Sequence, residues 1–112
     1  MERNSIGELE ELVLLIIGAF GLGAYAKVIR EEIISRTGRH LDVTAIHSVL
    51  RRLEEKCLVL SFMGGVTKDR GGRSKRIFKL SRSGRSVLDV RVLTRMELYK
   101  QLLTAENAVK QG

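Results

Sequence analysis

The sequence has little of several features on which other classes of protein depend. A single cysteine, Cys57, excludes a disulfide within the chain, which fits the reducing cytoplasm. Proline is absent, as suits a chain rich in helix, and aromatic residues make up only 4%. The longest uncharged run, 12–26, is shorter than the about 20 apolar residues of a membrane span, and the glutamates before it argue against a signal peptide. We therefore expect a cytoplasmic protein that does not associate with a membrane.

Residue sets that carry catalysis or bind metal ions are also missing from the sequence pattern. His40 and His47 have no acid or thiol cluster beside them, whereas zinc takes three or four protein ligands. The segment 71–74 lacks the Gly-Lys-Ser/Thr ending of a phosphate loop, and no Ser/His/Asp set has a recognisable context. We therefore expect no enzyme activity, no cofactor and no metal ion.

Acidic residues are few beside the basic ones, and the excess is concentrated in one place. The net charge is +7, and the segment 64–85 accounts for all of it, since it holds eight basic residues and one acid, Asp69. The basic residues are Lys68, Arg70, Arg73, Lys75, Arg76, Lys79, Arg82 and Arg85. A charge run is often only a solvated loop, but one confined to a short segment favours a surface for a polyanion.

Apolar periodicity predicts three helices, a hairpin and a fourth helix. Ser5 and Glu8 form a predicted capping box for the first helix, the second covers about 24–37, and Asp42 caps a third that ends near residue 56. Strands are predicted at 58–63 and 75–80, around a glycine-rich polar loop. Ser81 then caps a fourth helix over about 83–104, followed by a frayed tail at 105–112.

This order of elements is that of a winged helix-turn-helix. The predicted fold class is mainly α (α+β), with three N-terminal helices, a β-hairpin wing and a long C-terminal helix. We expect one structural domain, in which residues 1–81 form the winged helix-turn-helix that binds DNA. Residues 82–112 would form a C-terminal dimerisation helix with its tail.

Four segments, in the right order and at the right separations, resemble the PadR family of transcriptional regulators. They are 6–15 (IGELEELVLL), 36–39 (RTGR), 50–56 (LRRLEEK) and 71–81 (GGRSKRIFKLS), the last followed by Gly84. The resemblance implies a dimer built largely by the first and last helices, DNA binding through the third helix and the wing, and usually repression. It also implies the short form of the family, in which one C-terminal helix replaces a larger dimerisation domain.

The chain departs from the family pattern in three respects. His47 stands where the family usually has an aromatic residue, and Thr44 where it has glycine, which affects the base contacts rather than the binding mode. Cys57 replaces the glycine after the third helix, at a cost of about 1 kcal/mol if its backbone is left-handed. The usual aromatic pair of the second wing strand is reduced to Ile77 and Phe78.

The candidate DNA-binding residues lie on the third helix and the wing. Hydroxyl and imidazole groups near the start of the helix can reach base edges, whereas arginines further along suit phosphates. Tyr25, at the start of the second helix, could donate to a phosphate, with a half-buried core position as the other interpretation. The candidates are Tyr25, Thr44, Ala45, His47, Ser48, Arg51, Arg52, Arg73, Lys75 and Arg76.

A stripe of apolar residues on the fourth helix is too long for a small winged domain to cover, and it predicts a homodimer. The candidate interface residues are Leu14, Leu15, Leu88, Val92, Met96, Tyr99 and Leu103. A groove between the first and last helices could hold a small hydrophobic effector, although no residue is assigned to it. The predicted partners are thus double-stranded DNA and a second copy of the chain.

Three functions are compatible with this pattern. The leading hypothesis is a dimeric transcriptional regulator, a repressor that reads a pseudo-palindromic operator. The alternative is a winged-helix protein–protein interaction module without an operator of its own, which the short base-reading set of the third helix motivates. A peripheral membrane binder is disfavoured, because the segment 64–85 has no amphipathic Trp/Phe/Leu face.

Overall fold

A computed structural model describes residues 5–66 and 74–111 of the chain. The elements are α1 (Glu8–Phe20), a short 3-10 turn (Gly21–Gly23), α2 (Ala26–Thr37), α3 (Val43–Glu55), β1 (Val59–Val66), β2 (Ser74–Leu80) and α4 (Arg82–Gln111). The two strands pair antiparallel as a hairpin. The predicted winged helix-turn-helix, with three helices, a hairpin wing and a long last helix, is confirmed.

The helix starts show where local sequence signals decide and where they do not. Asp42 caps α3 as predicted, because its Oδ1 accepts a hydrogen bond from the backbone N–H of Ala45 at 2.8 Å. The predicted capping box of α1 is wrong by two residues. The helix is capped at Gly7, whose backbone N–H donates to Glu10 Oε1 at 3.0 Å.

The end of α3 is left-handed at Cys57, which has a φ of 61°. The backbone N–H of Leu58 donates to the carbonyl of Leu53, and that of Cys57 to the carbonyl of Glu54, both at 2.9 Å. This is the hydrogen-bond pattern of a Schellman ending, for which glycine is the favoured residue. The predicted penalty of about 1 kcal/mol for a side chain at this position therefore applies.

The core lies between α1, α2 and α3, and the hairpin and the start of α4 close it. Its fully buried large side chains are Val13, Leu14, Ile17, Ile29, Ile33, Ile46, Val49, Leu50, Leu53, Leu58 and Val59. The hairpin is attached to this body by its β2 edge, where the Phe78 N–H donates to the Ala24 carbonyl at 2.8 Å. The wing is therefore held next to the start of α2, and β1 leads out of the end of α3.

The start of α4 fits tightly against the turn after α3. Ser81 caps the helix as predicted, since its Oγ accepts from the Gly84 N–H at 3.0 Å and donates to the Cys57 carbonyl at 2.7 Å. A Cβ on Gly84 would lie 2.0 Å from the Leu58 carbonyl oxygen, so only glycine fits there. The predicted fraying of the tail is wrong, because α4 continues through residues 105–111.

Candidate nucleic-acid interface

The third helix presents one face to the core and the other to solvent. Ile46, Val49, Leu50 and Leu53 are buried, which fixes the rotation of α3 about its axis. The opposite face carries the predicted DNA-binding residues: Thr44, His47, Arg51 and Arg52 are exposed, and Ala45 and Ser48 are partly exposed. The Asp42 cap fixes the first turn, so Thr44, His47 and Ser48 project from the N-terminal half of α3, the part that enters the major groove in helix-turn-helix proteins.

Two of the predicted wing and helix residues contact each other. The Lys75 ammonium lies 4.2 Å from the ring centroid of Tyr25, within range of a cation–π interaction. The prediction that Tyr25 contacts DNA needs correction, because its side chain is only 8% exposed and packs at the junction of α2 and the wing. Its position there supports the wing lysine instead. Arg73 lies outside the described residues.

Arg76 joins the wing to the end of α3 through a hydrogen-bonded chain that sequence reasoning missed. Arg76 Nη1 donates to Ser61 Oγ at 2.9 Å, and Ser61 Oγ donates to Glu54 Oε2 at 2.9 Å. The three residues come from β2, β1 and α3. These two hydrogen bonds connect both strands of the wing to the end of α3.

A partly buried ion pair lies behind α3. Lys56 Nζ donates to Glu10 Oε2 at 2.8 Å and to the Ser5 carbonyl at 2.9 Å, which connects the end of α3 to the start of α1. Burial by itself would raise the pKa of Glu10. The hydrogen bond from the Gly7 N–H and the charges of Lys56 and Arg52 outweigh burial and hold the pKa below its ordinary value.

The predicted dimer residues fall into two groups. Leu14 and Leu88 are 0% and 5% exposed, so both belong to the chain's own core, and their prediction as interface residues is corrected. Leu15, Met96, Tyr99 and Leu103 are exposed, and Val92 is partly exposed. The surface formed by these last five residues is referred to below as the α1–α4 surface.

An apolar cleft of about 480 Å³ lies in the α1–α4 surface. Leu15, Val92, Met96 and Tyr99 line it, and Glu11, Arg95 and Lys100 stand at its margin. Glu11 is buried on α1 and accepts hydrogen bonds from Arg91 and Arg95 of α4. Sequence reasoning missed this cluster, although a glutamate on the apolar side of a helix is a signal that a cation must lie nearby.

Two further features of the described residues bear on the site. No three side chains of the His, Cys, Asp or Glu type come together in 5–66 and 74–111 in a way that could hold a metal ion. Within the same ranges, no helix combines the length and the apolar character that crossing a bilayer requires.

Neither a protein-family model nor a curated protein sequence matches this chain. Solved structures do match it. A transcriptional regulator from Streptococcus superimposes with a TM-score of 0.68 at 19% identity, over 88% of this chain and 91% of that one.

Two further structures carry the family name. A PadR family transcription regulator from Clostridium difficile has a TM-score of 0.64 at 22% identity, over 88% of this chain and 97% of that one. A PadR-like transcription factor from Bacteroides fragilis has a TM-score of 0.65 at 21% identity, over 87% of this chain and 88% of that one. The chain therefore has the PadR-like winged-helix fold, with one long helix after the wing.

Proposed function

We propose that this chain is a transcriptional regulator that binds a pseudo-palindromic DNA operator as a homodimer, and that it represses. The observation that carries the proposal is the exposed polar face of α3, with a basic wing that is hydrogen-bonded to the end of the same helix through Arg76, Ser61 and Glu54. The regulators with which the chain superimposes support this reading, because each is described as a transcription regulator or factor.

The interface divides its work between two kinds of side chain. Thr44, His47 and Ser48 lie on the first two turns of α3, where hydroxyl and imidazole groups reach base edges in the major groove. Arg51 and Arg52 lie one turn further on, at a distance that suits the phosphates on the flank of the groove. Lys75 and, outside the described residues, Arg73 add phosphate contacts from the wing.

The dimer proposal depends on the α1–α4 surface. Met96 and Leu103 lie seven residues apart on the same side of α4, and Tyr99 between them is 61% exposed. Large apolar side chains in a continuous exposed stripe mark an interface, and a two-fold axis would bring the same stripe of a second copy against it. The partner's α4 is thus the proposed occupant of the cleft, and a small hydrophobic effector stays a prediction. Two copies would place their α3 helices roughly 34–36 Å apart, one turn of DNA.

Selection of bound sequences from a random pool of double-stranded DNA tests the proposal. We expect enrichment of a two-fold symmetric site with half-sites one helical turn apart. A variant with Thr44→Glu and Ser48→Glu should lose this enrichment, because carboxylates on α3 repel the phosphates. The matched control places the same two charges on exposed positions of α4, Gln101→Glu and Thr104→Glu, and should still select the site. Absence of any enrichment by the unmodified chain would favour the protein–protein interaction module instead.

A further inference from the structure

Glu11 is a buried carboxylate at the junction of α1 and α4. Glu11 is only 6% exposed, and both of its carboxylate oxygens accept a hydrogen bond. Oε1 accepts from Arg91 Nε at 2.6 Å, and Oε2 accepts from Arg95 Nη1 at 2.5 Å. The two arginines are one helical turn apart on α4. We refer to Glu11, Arg91 and Arg95 as the Glu11 clamp.

The clamp holds α4 at two points because a buried charge is stable only when it is paired. An isolated carboxylate loses its favourable hydration on burial, so Glu11 favours arrangements in which both guanidinium groups reach it. Charge-assisted hydrogen bonds of this kind are short and directional. Two of them, from consecutive turns of one helix to one carboxylate, restrict both the rotation and the tilt of α4 relative to α1.

The position of the clamp along α4 lets it influence the direction of the helix. The helix begins with close packing at Gly84, whose Cα lies against the Leu58 carbonyl, and continues with Val87 and Leu88 in the core. From Leu93 to Lys110 every residue is exposed in the single chain. The clamp therefore lies where α4 leaves the body, with Arg91 about 10 Å and Arg95 about 16 Å along the axis from Gly84 at 1.5 Å per residue. Close packing at one end and the clamp at the other define the direction of the helix.

We propose that Glu11 is a positioning residue that fixes the angle between α4 and the winged-helix body, and thereby the spacing of DNA half-sites that the dimer accepts. This inference rests on the proposed function, in which α4 joins the two copies. In such a dimer each α3 lies roughly 17 Å from the two-fold axis. A change in the angle of α4 would turn the body about its junction with α4 and displace each α3 along the DNA, where a displacement of about 3.4 Å equals the rise of one base pair.

The angle can be measured in one chain with two spin labels. In a Cys57→Ser background, Arg39→Cys, which is exposed after α2 and lies beside Glu11 and Arg95, takes one label, and Ala105→Cys on the exposed part of α4 takes the other. Labelled chains are diluted with unlabelled ones, so that double electron–electron resonance reports the distance between the two labels of one copy. We expect a single narrow distance in the parent protein. In Glu11→Gln the mean distance should shift by up to about 5 Å or the distribution should widen correspondingly, since a tilt of about 10° moves residue 105, about 31 Å along α4 from Gly84, by about 5 Å across the helix axis.

A matched control separates the clamp from the general loss of a buried carboxylate. Glu10→Gln removes the neighbouring carboxylate, which binds Lys56 on the α3 side and not α4, and should leave the label distance unchanged. Arg95→Gln provides a second variant if Glu11→Gln does not fold, because Arg95 is largely exposed and its removal leaves Arg91 in place. A distance distribution in both clamp variants identical to that of the parent would overturn the inference.

The consequence for DNA is tested by selection from pools in which the half-sites are separated by varied numbers of base pairs. The parent and Glu10→Gln should enrich one spacing, whereas Glu11→Gln should enrich several or a spacing shifted by at least one base pair. An unchanged spacing despite an altered label distance would refute the role of the clamp in spacing. If the parent neither dimerises nor selects a symmetric site, the proposed function fails, while the label distance still decides whether Glu11 sets the angle of α4.

Discussion

The winged-helix body (residues 6–81) and the far part of α4 (residues 93–111) use the same apolar residue types in opposite surroundings. Leu50 and Leu53 on α3 are buried, whereas Leu98 and Leu102 on α4 are half or more exposed. The radius of gyration is 17.0 Å, against about 13 Å expected for a compact chain of this length, because α4 extends away from the body. The body is complete in one copy, and α4 has a surface that one copy cannot cover.

This difference teaches that stability and assembly are separable properties of the chain. The body encloses its core with its own elements, and the polar face of α3 is exposed to solvent. The far part of α4 contributes little burial to the single chain, and in the proposed dimer its stripe of Met96, Tyr99 and Leu103 would contact a second copy. Substitutions in the two regions should therefore change different measurements.

The largest effect is expected in the body. Leu50→Ala removes a side chain that is fully surrounded by the core, and should lower the free energy of unfolding by about 2–5 kcal/mol in urea denaturation. Leu93→Ala, on the exposed part of α4, is the matched control and should change it by less than about 0.5 kcal/mol. Equal losses would mean that α4 is part of the core after all.

Substitutions on α4 should change self-association rather than the stability of the body. Met96→Glu with Leu103→Glu places charges in the α1–α4 surface, where they cannot be solvated in a dimer, and should weaken self-association by more than about 100-fold. Analytical ultracentrifugation measures this at tens of micromolar. Val90→Glu with Leu93→Glu, on other sides of the same helix, controls for added charge and should stay dimeric. A parent chain that sediments as a monomer would contradict the dimer proposal.

DNA reading should depend on the start of α3 and not on α4. His47→Ala and Ser48→Ala should each weaken binding to the selected operator by about 1–3 kcal/mol, with a smaller loss on random DNA, because a base contact is lost. Arg51→Ala should weaken binding to both sequences by similar amounts, since a phosphate contact is not sequence-specific. Fluorescence anisotropy titrations on the two DNAs at one salt concentration make the comparison. Equal losses on both for His47→Ala would reassign that residue to positioning.

The ion pair behind α3 makes the stability of the body depend on pH. Because the Gly7 N–H and Lys56 hold the pKa of Glu10 below its ordinary value, the ionised carboxylate stabilises the fold fully above the unfolded pKa of glutamate, about 4.3. This stabilisation should be lost as the pH falls through the lowered folded pKa. Glu10→Gln should therefore narrow the stability difference between neutral and acidic pH, measured by thermal unfolding. A pH profile identical to that of the parent would show that the pair contributes nothing.

The smallest effect concerns the end of α3. Cys57→Gly should raise the free energy of unfolding by up to about 1 kcal/mol, because glycine adopts the left-handed φ of 61° without a Cβ clash. Cys57→Ala keeps a Cβ in the same conformation and should leave the stability close to that of the parent. A gain of the same size from alanine would trace the effect to the thiol rather than to the backbone.

Local signals in the sequence were enough for most of the fold. Asp42 and Ser81 were predicted as caps because a short oxygen-bearing side chain before an apolar-periodic run has few other roles, and both bind the predicted helix starts. The prediction that Ser5 caps α1 is wrong because Glu10 accepts a hydrogen bond from the Gly7 N–H instead. The Glu10 carboxylate is also bound by Lys56, a residue from the far end of α3. The frayed tail failed because helix periodicity does not indicate where a solvated helix ends.

The amino-acid sequence by itself determined the order of elements, the buried face of α3 and the basic wing, since each depends on spacing within a few residues. Only the tertiary structure decided that Leu14, Leu88 and Tyr25 are internal, that Arg76 binds Ser61, and that Glu11 is held by Arg91 and Arg95. Those contacts join residues from 15 to 84 positions apart in the sequence. Side-chain chemistry predicts that a buried carboxylate needs a cation, but the packing of α4 against α1 selects which cation reaches it.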